Sequence, residues 1–267
     1  MRKKLNLNEE EKQELLESGL QHSWVASRPW NVVTAPGGVT IFTEGKGCRL
    51  TDINGKTYLD YDSGIFLVNI GYGRKEIADA IHEQAMKLNF VPTHDFSIPR
   101  IKLAGKLAEL TPGDLWRVFF TSGGAEANEV ALKIAKKCQR NSGFPKKWKI
   151  ISRRLDYHGS TYASMSIGEH APIFQWSDFE PLMPGVRYVE HPICRRCPFG
   201  LEYPGCDLQC AKAVERMIEF EMPETVAAVL MEPWSWTSGL AVLPPEYWPL
   251  VRSICDKYGV LLSLMRY

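Results

Sequence analysis

The segment TVAAVLM, residues 225–231, is apolar at every position after the first. Such a run has no polar alternation with which to face water, so it belongs in a sheet covered on both sides. WKIIS at 148–152 and GVLL at 259–262 have the same character, and RVFF at 117–120 reads as a further strand. Between them lie stretches of helical period at 125–137, 207–220 and 245–257, with two more upstream at 74–88 and 97–110. The helix at 245–257 has Pro244 and Pro245 at its start and Gly259 just past its end, the expected placement of helix-starting and helix-ending residues. Strands alternating with helices predict an α/β chain with a mostly parallel sheet and helices on both faces.

The first sixty residues read differently. Residues 37–62 alternate apolar and polar around turn signals at Glu44–Gly47 and Asn54-Gly55, which predicts a small β-meander. Ahead of it, MRKKLNLNEEEKQELLESGL predicts an amphipathic helix capped by Asn8, with Glu11 closing a capping box. The expected division is therefore an N-terminal segment, 1–65, and a large cofactor-binding domain, 66–267. A net charge of +1 gives no basic field for nucleic acid. No run of eighteen apolar residues predicts a membrane span, and the start has no secretory core, so the expected location is cytoplasmic.

Ligands of parallel sheets bind beyond the carboxyl ends of the strands. After RVFF comes TSGGAEANEVALKIAK, where Gly123 and Gly124 lead directly into a helix. Free N–H groups and the positive helix end make a phosphate site there, and glycine lets the backbone come close. After the second strand comes Tyr157-His158-Gly159, a ring able to stack on a flat ligand or simply to pack under a loop. After TVAAVLM comes Glu232, a carboxylate that needs a partner if buried, whether a ligand group or a basic side chain. A phosphate cradle, a ring and a carboxylate, each at a strand end, suit an aromatic cofactor bearing a phosphate.

Four of the seven cysteines cluster as CRRCPFGLEYPGCDLQC, at Cys194, Cys197, Cys206 and Cys210. Two close pairs of thiols are a candidate zinc site, although the CxxxC spacing of the second is less typical than CxxC, and the plainer reading is reduced, unliganded cysteines of a surface excursion. Cys48, Cys138 and Cys255 are scattered and read as small hydrophobes.

FFTSGGAEANEVALKIAK, ISRRLDYHGST, AAVLMEP and YGVLL, with LDYDSGIFLVNIGYGRKEIADAI and IKLAGKLAELTPGDLWRVFFTSGGAEAN upstream, resemble the class III aminotransferases in order and spacing. The likeness runs from about Trp24 to Leu262. It implies a fold-type I, pyridoxal-phosphate-dependent transferase that works as a homodimer. The insertion with PFGLEYP resembles the branch using ω-amino donors with pyruvate, including taurine–pyruvate aminotransferases. The resemblance implies that the amides of Gly124 and Ala125 hold the cofactor phosphate, next to Gly123 of the same loop, although many members have Ser at position 125. It further implies that Tyr157, followed by His158, stacks on the ring, that Glu232 lies near its phenolic side, and that Phe66 faces substrate where relatives often carry Trp.

In the family the last strand continues Ile-Ala-Asp-Glu-Val, and its Asp pairs with the pyridine nitrogen. Here the same stretch reads Ser263-Leu264-Met265-Arg266-Tyr267, and the Schiff-base lysine expected further on is absent. One lost base accounts for all five residues. ATC GCT GAT GAG GTA without its first A reads TCG CTG ATG AGG TA-, which encodes Ser-Leu-Met-Arg-Tyr when T or C follows. The alternative is a divergent or trimmed end. The sequence thus predicts a truncated, inactive aminotransferase, or, from another class, a non-catalytic scaffold carrying zinc on Cys194–Cys210. Resequencing the gene is the check: the frame reading expects aminotransferase-like sequence in another frame just downstream, and an intact frame without it overturns that reading.

Overall fold

The computed structural model describes residues 7–26, 28–168 and 176–265. The chain forms two compact units, Met1–Val118 and Phe119–Tyr267. Residues 1–6 of the expected N-terminal helix, and Arg266 and Tyr267, lie outside the described residues.

The first unit starts with α1 (Glu9–His22). Its capping box is complete: Glu11 N–H donates to Asn8 Oδ1 at 2.9 Å and Asn8 N–H to Glu11 Oε2 at 2.7 Å. Two otherwise unpaired helix-end donors are thereby satisfied, a gain of about 1 kcal/mol. After the single turn α2 (Trp30–Val33), the meander forms as expected, with β1 (Phe42–Lys46), β2 (Arg49–Asp52) and β3 (Thr57–Leu59) antiparallel in that order. Asp52 fixes the Asn54-Gly55 turn, its Oδ1 accepting from the N–H groups of Asn54 and Lys56 at 2.9 Å each. Gly55 takes the left-handed φ of 79° that this turn requires.

The next turn, α3 (Ser63–Phe66), is wound left-handed, with φ of 48°, 59°, 56° and 67° along its residues. Only glycine adopts that conformation without cost, so three of the four positions are strained. Asp60 anchors the turn, its Oδ2 accepting from Gly64 N–H and from the Tyr72 hydroxyl at 2.9 Å each. Phe66 stands at the end of this strained turn. The unit is completed by α4 (Lys75–Lys87) and α5 (Ile98–Leu110), neither of which buries a residue.

The second unit contains a four-stranded, all-parallel sheet in the order β5-β4-β6-β7, built from β4 (Lys149–Arg153), β5 (Val186–Val189), β6 (Val226–Met231) and β7 (Leu261–Leu264). All six residues of β6 are buried. Alternate side chains enter two separate cores, as the period of a strand demands. Ile150, Ala228 and Leu230 pack with Leu132 and Ala135 of α6 (Gly124–Asn141) and Ile167 of α7 (Tyr162–Ile167). Ile151, Val229 and Met231 pack on the other face with Val214 and Ile218 of α8 (Gln209–Phe220) and Val251 and Ile254 of α9 (Tyr247–Tyr258). The expected two-faced α/β architecture is therefore present.

RVFF is a correction. Residues 117–120 form no strand, and Phe119 is two-thirds exposed. A strand needs a neighbour to receive its N–H and C=O groups, and no described strand pairs with this segment. Among the described residues no helix is long and apolar enough to cross a membrane.

Two buried polar side chains pin the turn that feeds β7. Gln139 donates to Ala227 O at 3.0 Å and Gly259 O at 2.9 Å, and Lys147 Nζ donates to Tyr258 O at 2.8 Å and Gly259 O at 2.7 Å. Lys147 thus caps the last carbonyls of α9, where the helix dipole favours a cation. Lys147→Met keeps the stem and removes the charge-assisted bonds. It is expected to cost about 2 kcal/mol in urea unfolding, and a loss within 0.5 kcal/mol would show that water replaces the cap.

Candidate functional site

The helix α6 begins without a side-chain cap. Gly123 precedes it in extended conformation and makes no side-chain cap to the first-turn N–H groups. Those groups have no acceptor within the helix and stand at its positive end. Glu126 turns back, its Oε2 accepting from Ser122 N–H at 2.7 Å. The amides of Gly124 and Ala125 therefore begin the helix on a glycine-lined approach.

The loop that leaves β4 lies against this helix end. Asn128 Nδ2 donates to His158 O at 2.7 Å, across two elements. Gly159 has a φ of +118°, and a Cβ built there would stand 2.5 Å from the Cβ of Ala125. Only glycine permits both the backbone angle and the approach. Tyr157 is held between: its N–H donates to Glu232 Oε2 at 3.0 Å, and its ring meets Trp236 edge-on at 6.3 Å.

Glu232 follows β6 and is fully buried. One oxygen accepts from Tyr157, whereas Oε1 has no hydrogen-bond partner among the described residues. The nearby Ser235 hydroxyl donates to Leu155 O instead. Burial, and then the negative charge of Asp156, push the Glu232 carboxyl up to about 7. An ionised carboxylate with one unpaired oxygen is costly in such a place, so the group holds its proton longer.

Beneath it, Arg153 and Asp156 form a buried pair: Nε and Nη2 donate to Asp156 Oδ1 at 3.0 and 2.8 Å. Arg153 Nη2 also donates to Glu232 O at 2.7 Å, and Glu232 N–H donates to Asp156 Oδ2 at 2.9 Å. His158 is buried alongside, with Nε2 3.4 Å from Ser152 Oγ. Burial, followed by the Arg153 charge, drives its imidazole down to about 3, so it is neutral at ordinary pH. His191, after β5, is likewise pushed down to about 3 by burial and Arg153; neither ring nitrogen has a hydrogen-bond partner among the described residues, and Nε2 lies 3.9 Å from Asp156 Oδ1.

Gly123, Gly124, Ala125, Tyr157, His158 and Glu232 thus belong to one contact chain at the carboxyl ends of β4 and β6. Phe66 belongs to the other compact unit and is described there. The sequence reading missed Asn128, Arg153, Asp156 and His191. Asn128 left one signal: it is a polar residue four positions after Gly124, on the face of α6 that also buries Leu132 and Ala135. Arg153 and Asp156 left none, because RRLD after a strand reads as an exposed turn.

The zinc alternative is not supported. Among the described residues no group of three or more His, Cys, Asp or Glu has an arrangement that could hold a metal ion. Cys194, Cys197, Cys206 and Cys210 do line one small hollow, together with Phe199, Leu201 and Tyr203. Burial pushes the Cys210 thiol there up to about 11.

Glu232 makes stability depend on pH in a defined direction. The unfolded glutamate ionises near 4.3, whereas the folded one holds its proton to about 7. Between those values the unfolded chain loses a proton that the folded chain keeps, so stability falls as pH rises and levels off above about 7. The drop is roughly 3 kcal/mol. Glu232→Gln has no such proton and is expected to remove that slope. Urea unfolding of both chains at pH 4.5 and 7.5 reads it, and parallel losses would mean that Glu232 ionises normally.

The family model for class III aminotransferases matches residues 33–264. A probable aminotransferase of Mycobacterium tuberculosis is 44% identical over 223 residues, covering 83% of this chain and 47% of the relative. A hypotaurine/taurine–pyruvate aminotransferase of Paracoccus denitrificans is 38% identical over 226 residues, covering 84% and 48%. Among solved structures, an (S)-enantioselective ω-transaminase from Thermomicrobium roseum superimposes with a TM-score of 0.88 at 38% identity, covering 95% of this chain and 56% of that one. The chain therefore spans about half the length of the curated relatives it matches. Class III aminotransferases depend on pyridoxal phosphate, and the cradle at the ends of β4 and β6 is built on the stretches that match them: this chain belongs to the class III aminotransferase family.

Proposed function

We propose that this chain carries the cofactor-binding part of an aminotransferase that moves an amino group from an amine or ω-amino acid, of the taurine type, to a keto acid such as pyruvate. The observation that carries this reading is Glu232: a buried carboxyl with one oxygen tied to the Tyr157 amide and the other unpartnered. A ligand hydroxyl or phenolate is the natural partner for the second oxygen. With its proton held to about 7, Glu232 can donate a hydrogen bond to such an oxygen at neutral pH. The uncapped amides of Gly124 and Ala125, reached past Gly123, suit a phosphate. Tyr157 supplies a ring face and His158 a neutral imidazole beside it, and the family resemblance alone assigns Phe66 to substrate. Orphaned carboxyl oxygen, open helix end and ring together fit pyridoxal phosphate, which supplies an electron sink when bound.

The chain's own residues bind and orient but do not complete the chemistry. Lys147 is committed to carbonyls, Lys149 to Glu221, and Lys133 is exposed on α6. We therefore propose that residues 1–267 by themselves take up the cofactor without transaminating. The functional division after residue 65, the homodimer and the single-base reading of residues 263–267 belong to the same proposal. The exposed apolar residues of α4 and α5, among them Ile81, Met86 and Ile101, support an assembly that covers them.

The test is equilibrium dialysis of the chain against pyridoxal phosphate, with an assay for taurine–pyruvate transamination alongside. Saturable uptake is expected, weakened about tenfold by Tyr157→Ala, and weaker still for pyridoxal lacking the phosphate. Equal uptake of pyridoxal and its phosphate would remove the phosphate cradle, and turnover at the rate of a full-length relative would remove the inactivity.

A further inference from the structure

Two consecutive residues of α6 hold the segment that follows β4 by its two ends. Asn128 Nδ2 donates to His158 O at 2.7 Å. Glu129 Oε1 accepts from the Thr161 hydroxyl at 2.7 Å and from the N–H groups of Ala163 and Ser164 at 3.0 and 3.4 Å. Thr161 stands 32 positions beyond Glu129 in the chain, so these bonds form only when the fold is complete. Between the two tethers, Gly159 lies against Ala125 in the first turn of the same helix.

The Glu129 bonds fall where α7 needs them. Thr161 precedes α7 but makes no side-chain cap to it. Ala163 and Ser164 are the second and third residues of that helix, whose N–H groups have no acceptor inside it. Glu129 supplies the cap from a different helix. A loop tethered at one end swings, whereas one tethered at both ends moves only with what holds it. The segment carrying Tyr157 and the open start of α6 are thereby made parts of one piece.

We propose that Glu129, with Asn128, is a positioning residue that sets the span between the Tyr157 ring and the amides of Gly124 and Ala125. A ligand with a flat ring and a phosphate on one frame then meets both at once. Glu129 touches neither half of such a ligand and acts through the segment it holds. The proposal deepens the cofactor reading given above and rests on it. Two half-sites at a fixed separation favour the ligand that joins both groups, because its second contact is made within the complex. Loosening the separation removes that advantage and leaves the affinity of each half for its own group unchanged.

The experiment uses the full 267-residue chain and the variants Glu129→Ala, Glu129→Gln and Thr161→Val. Equilibrium dialysis reads the uptake of pyridoxamine phosphate, whose amine forms no imine with surface lysines, and of its two halves, pyridoxamine and inorganic phosphate. Glu129→Ala is expected to weaken pyridoxamine phosphate about tenfold and to move either half by less than about twofold. Glu129→Gln keeps an oxygen acceptor in place and is expected to stay within about threefold of the original. Hydrogen–deuterium exchange without ligand is the second readout: peptides across 157–164 are expected to exchange about tenfold faster in Glu129→Ala, and those of β6 and β7 at the original rate. A parallel loss for all three ligands overturns the proposal, since it marks a role in overall stability alone. So does unchanged exchange, or faster exchange with undiminished uptake of pyridoxamine phosphate. If Glu129→Ala does not fold, Thr161→Val carries the same comparison, with about a threefold loss confined to the joined ligand, and an equal loss for the halves overturns the proposal. An original chain that takes up no pyridoxamine phosphate overturns the cofactor reading instead, and exchange alone then decides whether Glu129 holds the segment.

Discussion

The buried pair of Arg153 and Asp156 is the constraint from which the rest of the site follows. β4 and β6 are adjacent parallel strands, and their ladder fixes them only as far as it runs. Beyond it, Arg153 reaches across to Glu232 O while Asp156 reaches across to Glu232 N–H. The two strand ends are thereby tied through side chains where backbone pairing stops. Burying both charges is expensive, and removing one partner would leave the other uncompensated. That cost is consistent with a positional role: Glu232 can face the Tyr157 amide only if its own peptide is held. The same charges set the neighbouring chemistry. Arg153 disfavours protonation of His158 and His191, and Asp156 disfavours ionisation of Glu232. One ion pair therefore both holds the cradle and fixes the protonation of its walls.

Much of the fold was legible because the signals were local. The Asn8 capping box, the Asn54-Gly55 turn and the buried character of residues 226–231 each depend on neighbours in sequence. RVFF misled for the opposite reason: being apolar and β-branched describes a candidate strand, but being a strand requires a partner, which sequence-local pattern does not contain. β5 went unread because VRYV does not alternate: its two end residues are buried, one in each core, and its middle two only partly so. The site was legible at its rim. Gly124, Tyr157 and Glu232 each follow a run of apolar residues, where a break in pattern is visible. Its floor was not. Arg153, Asp156 and Asn128 are polar residues in ordinary polar surroundings along the chain, and only the closing of β4 against β6 and α6 buries them. Burial of a polar group is a property of three dimensions, and the cysteine cluster shows the converse: metal-like spacing along the chain, but apolar surroundings in space.

The arrangement also separates what makes this unit fold from what would make it react. β7 is fixed by four residue pairs with β6, from Ala228–Leu261 to Met231–Leu264, and by Gln139 and Lys147 at the turn before it. None of these contacts involves the side chain at 265. The sheet's two cores likewise draw on residues up to Leu262 and not beyond. Among the described residues, a change of the side chain at 265 therefore touches neither that ladder nor those caps. Stability of this half is carried by apolar packing and a few buried caps; chemistry is carried by the identity of single side chains at strand ends. A strand end can thus be held in place by its ladder and by buried caps while the side chains it presents remain free to differ.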